Sequence, residues 1–163
     1  MTLYDNKIAQ ANPIINRGRK IIAIDGGCGL KRDGQLNKLV IPGIDCAIDE
    51  VYYKSYDGFP VCTALSSQDE SRDSINISWL DNKIKVLEAE SDFTYAEHIS
   101  SGHRLWIYNE YIMNNATRCD NYTDYVLAVN KGDRLSVVKE TSKGYIVKKN
   151  GVTGWYYGEV DNA

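Results

Sequence analysis

The sequence predicts an all-β protein: an N-terminal β-hairpin segment followed by two small β-barrels in tandem. Three observations carry that prediction. β-Branched and aromatic residues, twelve tyrosines among them, gather in short alternating runs broken by Gly, Asn and Asp. No stretch sustains an apolar period of about 3.6 residues. And one pattern is written twice. Lys83-Ile84-Lys85-Val86-Leu87-Glu88, Tyr95-Ala96 and Gly102-His103-Arg104-Leu105-Trp106-Ile107 return as Arg134-Leu135-Ser136-Val137-Val138-Lys139, Tyr145-Ile146-Val147 and Gly151-Val152-Thr153-Gly154-Trp155-Tyr156. A repeat of this kind fixes the architecture first.

Taken in order, residues 1–19 are polar, with turn signals at Asn12-Pro13 and Arg17-Gly18. Residues 20–41 read as one hairpin. Lys20-Ile21-Ile22-Ala23-Ile24 is a buried-strand run that ends at Asp25-Gly26-Gly27, and Asp33-Gly34 turns into the strand 35–41, closed by Pro42-Gly43. At most a short helical turn is expected near 44–51. The first repeat follows with strands at 59–65, 75–79 and 84–90, an acidic loop at 66–74, and strands flanking Ser100-Ser101-Gly102. A polar linker at 114–121 leads to the second repeat, with Asn150-Gly151 as its tight hairpin turn. The predicted segments are 1–55, 56–113 and 114–163.

Composition narrows the functions. Of the 163 residues, 43% are hydrophobic and 25% charged, near the globular average. No apolar run is long enough for a membrane span. The opening Met1-Thr2-Leu3-Tyr4-Asp5 lacks the order of a signal peptide, which predicts a cytoplasmic protein. A net charge of −3 and a pI near 5.4 argue against nucleic acid as a partner. Arg17, Arg19 and Lys20, and Lys148-Lys149, read as solvated surface. Cys28, Cys46, Cys62 and Cys119 have no metal or redox spacing and read as free thiols.

Two resemblances follow from the motifs. The repeats resemble Src-homology-3 barrels and their bacterial relatives, through Gly132-Asp133-Arg134-Leu135-Ser136-Val137-Val138, Asn150-Gly151-Val152-Thr153-Gly154-Trp155, Gly102 to Trp106, and Trp106-Ile107-Tyr108-Asn109-Glu110-Tyr111-Ile112 as the closing turn. That resemblance implies an aromatic-lined groove for Pro-rich peptides beside an acidic loop. Carried over, it points to Asp69, Glu70, Asp73, Phe93 and Tyr111. Here Ser66 or Ser67 replaces the leading groove aromatic, Tyr108 stands in place of the groove proline, and Gly158-Glu159 replaces the second repeat's groove tyrosine.

The N-terminal segment resembles the last strands of bacterial calcineurin-like metallophosphoesterases. The matching residues are Asn12-Pro13-Ile14-Ile15-Asn16, Lys20 to Cys28 and Asp33-Gly34-Gln35-Leu36-Asn37. That family holds two metals on several His, Asp and Asn motifs, none of which is present, and the chain has only two histidines, His98 and His103. Asp25 is structural in the family pattern. No catalytic residue, metal ligand or cofactor is assigned.

The resulting expectation is a non-catalytic accessory or binding module that recruits substrate or regulates a phosphatase. Its partner would be a protein or peptide, including a phosphatase catalytic domain. The alternatives are a cell-wall or peptide-binding relative of the barrel family, and part of an active metal-dependent phosphatase joined to a missing catalytic half. An enzyme built on Cys28 with His98 or His103, or on an Asp pair, is the weaker reading, because a nucleophilic cysteine needs a base and an orienting group. The ligand-binding candidates are Asp69, Glu70, Asp73, Phe93, Trp106, Tyr108, Tyr111, Trp155 and Tyr157. Trp106 and Trp155 read first as packing residues and second as a platform between the barrels. His98 and His103 read as solvent-facing loop residues, and the acidic loop as solvated. An open-edged hairpin at 20–41 must dock on the barrels or pair with a second copy as a homodimer.

Overall fold

The computed structural model describes residues 7–162; the opening Met1 to Asp5, on which the signal-peptide reading rests, lies outside them. The chain is all-β, with only two single-turn 3-10 segments among the described residues. No helix there is long and apolar enough to cross a membrane.

The first third forms β1 (Ala9–Gln10), β2 (Ile14–Asn16), β3 (Ile21–Ala23), β4 (Leu36–Val40) and β5 (Tyr52–Tyr56). The single hairpin expected over 20–41 is not what forms: β3 pairs back onto β2, and β4 pairs forward with β5. The reason is local. Lys20 takes a positive φ and closes a tight turn onto Arg17, which gives β3 the nearer partner. The Asp25-Gly26-Gly27 turn then coils. Leu30 and Lys31 both donate to the Gly27 carbonyl, and Gln35 meets Gly27 in a parallel bridge instead of an antiparallel ladder. The helical turn expected near 44–51 is a 3-10 turn at Ile48–Glu50, where Glu50 reaches back to the Ala47 N–H at 2.7 Å.

The first repeat contributes β6 (Val61–Ala64), β7 (Asn76–Ile77), β8 (Ile84–Ala89), β9 (Phe93–His98), β10 (Arg104–Tyr108), a 3-10 turn at Asn109–Tyr111, and β11 (Ile112–Met113). The second contributes β12 (Arg118–Cys119), β13 (Tyr122–Thr123), β14 (Arg134–Thr141), β15 (Gly144–Lys149), β16 (Val152–Tyr156) and β17 (Val160–Asn162). Each repeat folds its middle into a three-stranded meander, β8-β9-β10 and β14-β15-β16, with a bulge at the matching place, Val86/Glu88 and Val137/Lys139. The Asn150-Gly151 turn sets both residues at positive φ, 51° and 78°, as a two-residue hairpin requires.

The opening strands are exchanged. β6 starts the first repeat yet pairs with β14 and β17 of the second. β12 starts the second repeat yet pairs with β11 of the first, and Arg118 bridges to Lys83 at the entrance of β8. The loops after them cross as well: β7 pairs with β13, and Gln68 with Val129. No sheet closes into a barrel among the described residues; the two expected cylinders are open sheets, and the larger one takes in β6 of the first repeat.

Both cores therefore draw on both repeats, and the expected boundary at 113/114 runs through them. One contains Ile77, Ile84, Phe93, Leu105 and Ile107 together with Cys119, Tyr122, Ile146 and Trp155. The other contains Leu127, Leu135, Val147 and Tyr156 together with Cys62 and Ala64. The N-terminal segment is tied down at several points. β1 extends the larger sheet beside β16, Thr153 donates to Asp33 at 2.7 Å, Arg32 pairs with Asp120 at 2.9 Å, and the buried Lys148 ammonium donates to the Asp33 carbonyl. Burial lowers the Lys148 pKa from its ordinary value, with Asp33 and Asp57 partly offsetting the shift.

Candidate functional site

Strand alternation and the exchanged packing bring aromatics of both repeats into one groove. Phe93 and Tyr95 stand on one face of β9, opposite Tyr108 and Trp106 of β10 in register. Their rings meet cross-strand, Phe93–Tyr108 at 5.3 Å and Tyr95–Trp106 at 5.1 Å between centroids. Trp155 arrives from the second repeat, 6.1 Å from Phe93, with its indole N–H donated to the Thr123 carbonyl at 3.0 Å. Tyr157 stacks on Trp155 at 5.6 Å, nearly parallel. Phe93 and Trp155 are buried and form the floor, while Tyr157 is 55% exposed. The groove has a volume of about 310 Å³, with Arg104, Asp124 and Lys143 at its rim.

The rim charges are largely paired. Arg104 meets Glu97 at 2.9 Å, Asp124 meets His103 at 2.7 Å, and Lys143 meets Glu90 at 3.2 Å. Lys143 also lies over the rings, its Nζ 4.5 Å from the centroids of both Phe93 and Trp106. Burial raises the Tyr157 phenol above its ordinary range, and Asp124 adds to the rise.

Of the nine ligand-binding candidates, the structure brings Phe93, Trp106, Trp155 and Tyr157 into this groove. Tyr108 packs beside Phe93 without lining the groove and carries Lys139 over its own ring at 5.6 Å. Tyr111 is buried on another side, under the Arg32 guanidinium at 4.9 Å. The acidic residues go elsewhere. Glu70 accepts the Tyr125 hydroxyl at 2.6 Å, Asp73 caps the Ser74 N–H at 3.1 Å, and Asp69 is exposed. Tyr95 and Lys143 belong to the groove and were not candidates. Tyr95 was legible as the residue two places after Phe93; Lys143 was not, because it enters from a turn of the other repeat.

A second cleft, of about 630 Å³, is lined by both histidines together with Asp73, Asp81 and Ser101. The solvent-facing reading of the histidines is corrected here, since His98 is 3% exposed and His103 is half-buried. His98 follows the inward set Thr94 and Ala96 on β9, a period of two that could have placed it. Its Nε2 lies 3.0 Å from the Asp81 carbonyl, which can only accept, so Nε2 donates there, and Nδ1 lies 2.9 Å from the Ser101 hydroxyl. Cys28 is exposed and does not line this cleft. Among the described residues, no group of three or more His, Cys, Asp or Glu side chains is placed to hold a metal ion. Asp25 accepts the Gly27 N–H at 2.8 Å and shapes its own turn.

Compared with family models, curated proteins and solved structures, the chain matches none.

Proposed function

We propose that this chain is a binding module that takes a protein or peptide ligand in the aromatic groove between its exchanged repeats. The observation that carries the reading is the convergence of Phe93, Tyr95, Trp106, Trp155 and Tyr157, from both repeats, on one open cleft rimmed by charge. Ligand sites combine an apolar lining with a few placed polar groups, and aromatic anchors dominate protein recognition. The module reading makes the chain an accessory that recruits substrate or regulates a partner enzyme. The resemblance of residues 12–37 to the closing strands of metallophosphoesterases makes a phosphatase catalytic domain the first partner to try.

The test is a peptide-display selection on the whole chain, followed by binding to Trp106→Ala and Tyr157→Ala, with circular dichroism to check folding. Selected peptides should lose at least tenfold in affinity for both variants, a difference of about 1.4 kcal/mol. Peptides that bind wild type and both folded variants equally would overturn the reading.

A further inference from the structure

The groove already contains a cation, and it belongs to the chain. Lys143 Nζ lies at 4.5 Å from two ring centroids, Phe93 and Trp106, well within cation–π range. It reaches there from the turn between β14 and β15, with its side chain 44% exposed. One exposed ion pair, to Glu90 at 3.2 Å, ties it down, and exposed pairs of this kind hold weakly. The same turn touches the first repeat once more, where Ser142 donates to Asp92 at 2.7 Å. Glu90, in the β8–β9 turn, thus holds its carboxylate beside the ammonium that covers the rings, and Asp124, paired with His103, lines the same groove. The one other cation lining the groove, Arg104, is engaged with Glu97.

We infer that the groove selects a lysine side chain of a peptide ligand, and that Lys143 is an internal stand-in for it, which the ligand displaces. This rests on the binding-module reading. Aromatic faces with a carboxylate beside them favour an ammonium over a neutral or acidic group of the same size, because ring quadrupole and charge attract it together. At about 310 Å³ the space suits one long side chain better than a folded surface. A tethered Lys143 competes at the high effective concentration that a short link provides, so wild type binds below its intrinsic strength. Displaced, Lys143 keeps Glu90 within reach, while the incoming ammonium takes its place over Phe93 and Trp106.

The experiment uses the whole chain and three peptides, acetyl-Gly-Gly-Lys-Gly-Gly-amide and its trimethyl-lysine and acetyl-lysine forms. Binding is followed by the Trp106 indole N–H resonance and by calorimetry. Lys143→Ala should bind the lysine and trimethyl-lysine peptides about tenfold more tightly than wild type does, and Lys143→Gln should repeat the gain. The acetyl-lysine peptide should not bind, and adding Trp106→Ala to Lys143→Ala should abolish the gain. Equal binding of acetyl-lysine and lysine peptides would sink the cation inference while leaving the groove as a ligand site. No gain in either Lys143 variant would sink the stand-in role. If none of the three peptides perturbs Trp106 in any variant, the inference falls; the binding-module reading then stands or falls on the display selection.

Discussion

A disulfide across the exchanged strands tests the architecture directly. Thr63 of β6 lies opposite Arg134 of β14. Ala64 N donates to the Asp133 carbonyl at 2.9 Å and Val137 N to the Pro60 carbonyl at 2.7 Å, so the alternation makes Thr63–Arg134 the non-hydrogen-bonded pair between them. Such pairs hold their Cα atoms about 4.5 Å apart, within the span a disulfide bridges. Neither side chain is buried, so both can be changed without opening the core. Thr63→Cys with Arg134→Cys would close a loop of about 72 residues, and the chain-entropy account gives about 4 kcal/mol for a loop of that size. For a chain of this length each kcal/mol moves Tm by about 2–4 °C, so the oxidised form should melt about 10 °C higher and lose that gain on reduction.

The assay is a non-reducing gel with peptide mapping, then thermal melts with and without reductant. The exposed Cys28 and partly exposed Cys46 are replaced by serine, since Cys62 and Cys119 are buried. If β6 instead lay in its own repeat, the two new cysteines would sit in different sheets. Free thiols under oxidising conditions, or a cross-link only between two chains, would refute the intramolecular exchange.

Two further outcomes follow from the packing. Leu135 is fully buried beside Cys62, so Leu135→Ala should cost about 2–5 kcal/mol in urea unfolding, and a loss below about 1 kcal/mol would mean the second core is not closed by β6. Tyr125 gives a pH signature: burial first, then the bond to Glu70, push its phenol from 10.0 up to about 12. A raised folded pKa contributes stability that is whole below pH 10 and lost as pH climbs towards 12. The stability advantage of wild type over Tyr125→Phe should therefore stay level to about pH 10 and then shrink, and a difference that stays level through pH 11.5 would contradict the raised pKa that burial and the bond together give.

Period-two patterns and turn residues made the strands legible, because both are local properties. Ile84–Ala89, Arg104–Tyr108 and the Asn150-Gly151 turn lie close to where the residues placed them, and the twin meanders follow the written repeat. Pairing was not legible. Which strand lies beside β6 depends on free energies spread over a hundred residues, and no pattern in Val61-Cys62-Thr63-Ala64 names Leu135 as its neighbour. The groove was half legible for the same reason. Phe93 and Trp106 belong to one hairpin, whereas Trp155, Tyr157 and Lys143 reach them only because the repeats interlock.

One local contribution to that interlocking lies in four residues. Asn114, Asn115 and Ala116 all hold positive φ, at 51°, 53° and 62°, and Thr117 closes the turn onto the Asn114 carbonyl. The chain reverses so tightly that Arg118 must return along Met113. The strand opening the second repeat is thereby set against the strand closing the first. With that place taken, β6 fits the matching vacancy beside β17. Short hinges favour exchange over self-closure in this way. Asn tolerates the left-handed region, whereas alanine there costs about 1–2 kcal/mol, so Ala116→Gly should stabilise the chain by about 1 kcal/mol. Inserting about ten Gly/Ser residues after Asn115 should release β12, since a flexible segment of that length spans well over 10 Å. The Thr63–Arg134 cross-link should then form in only part of the population. Full cross-linking in the lengthened chain would show that the exchange is held by the cores and not by the turn.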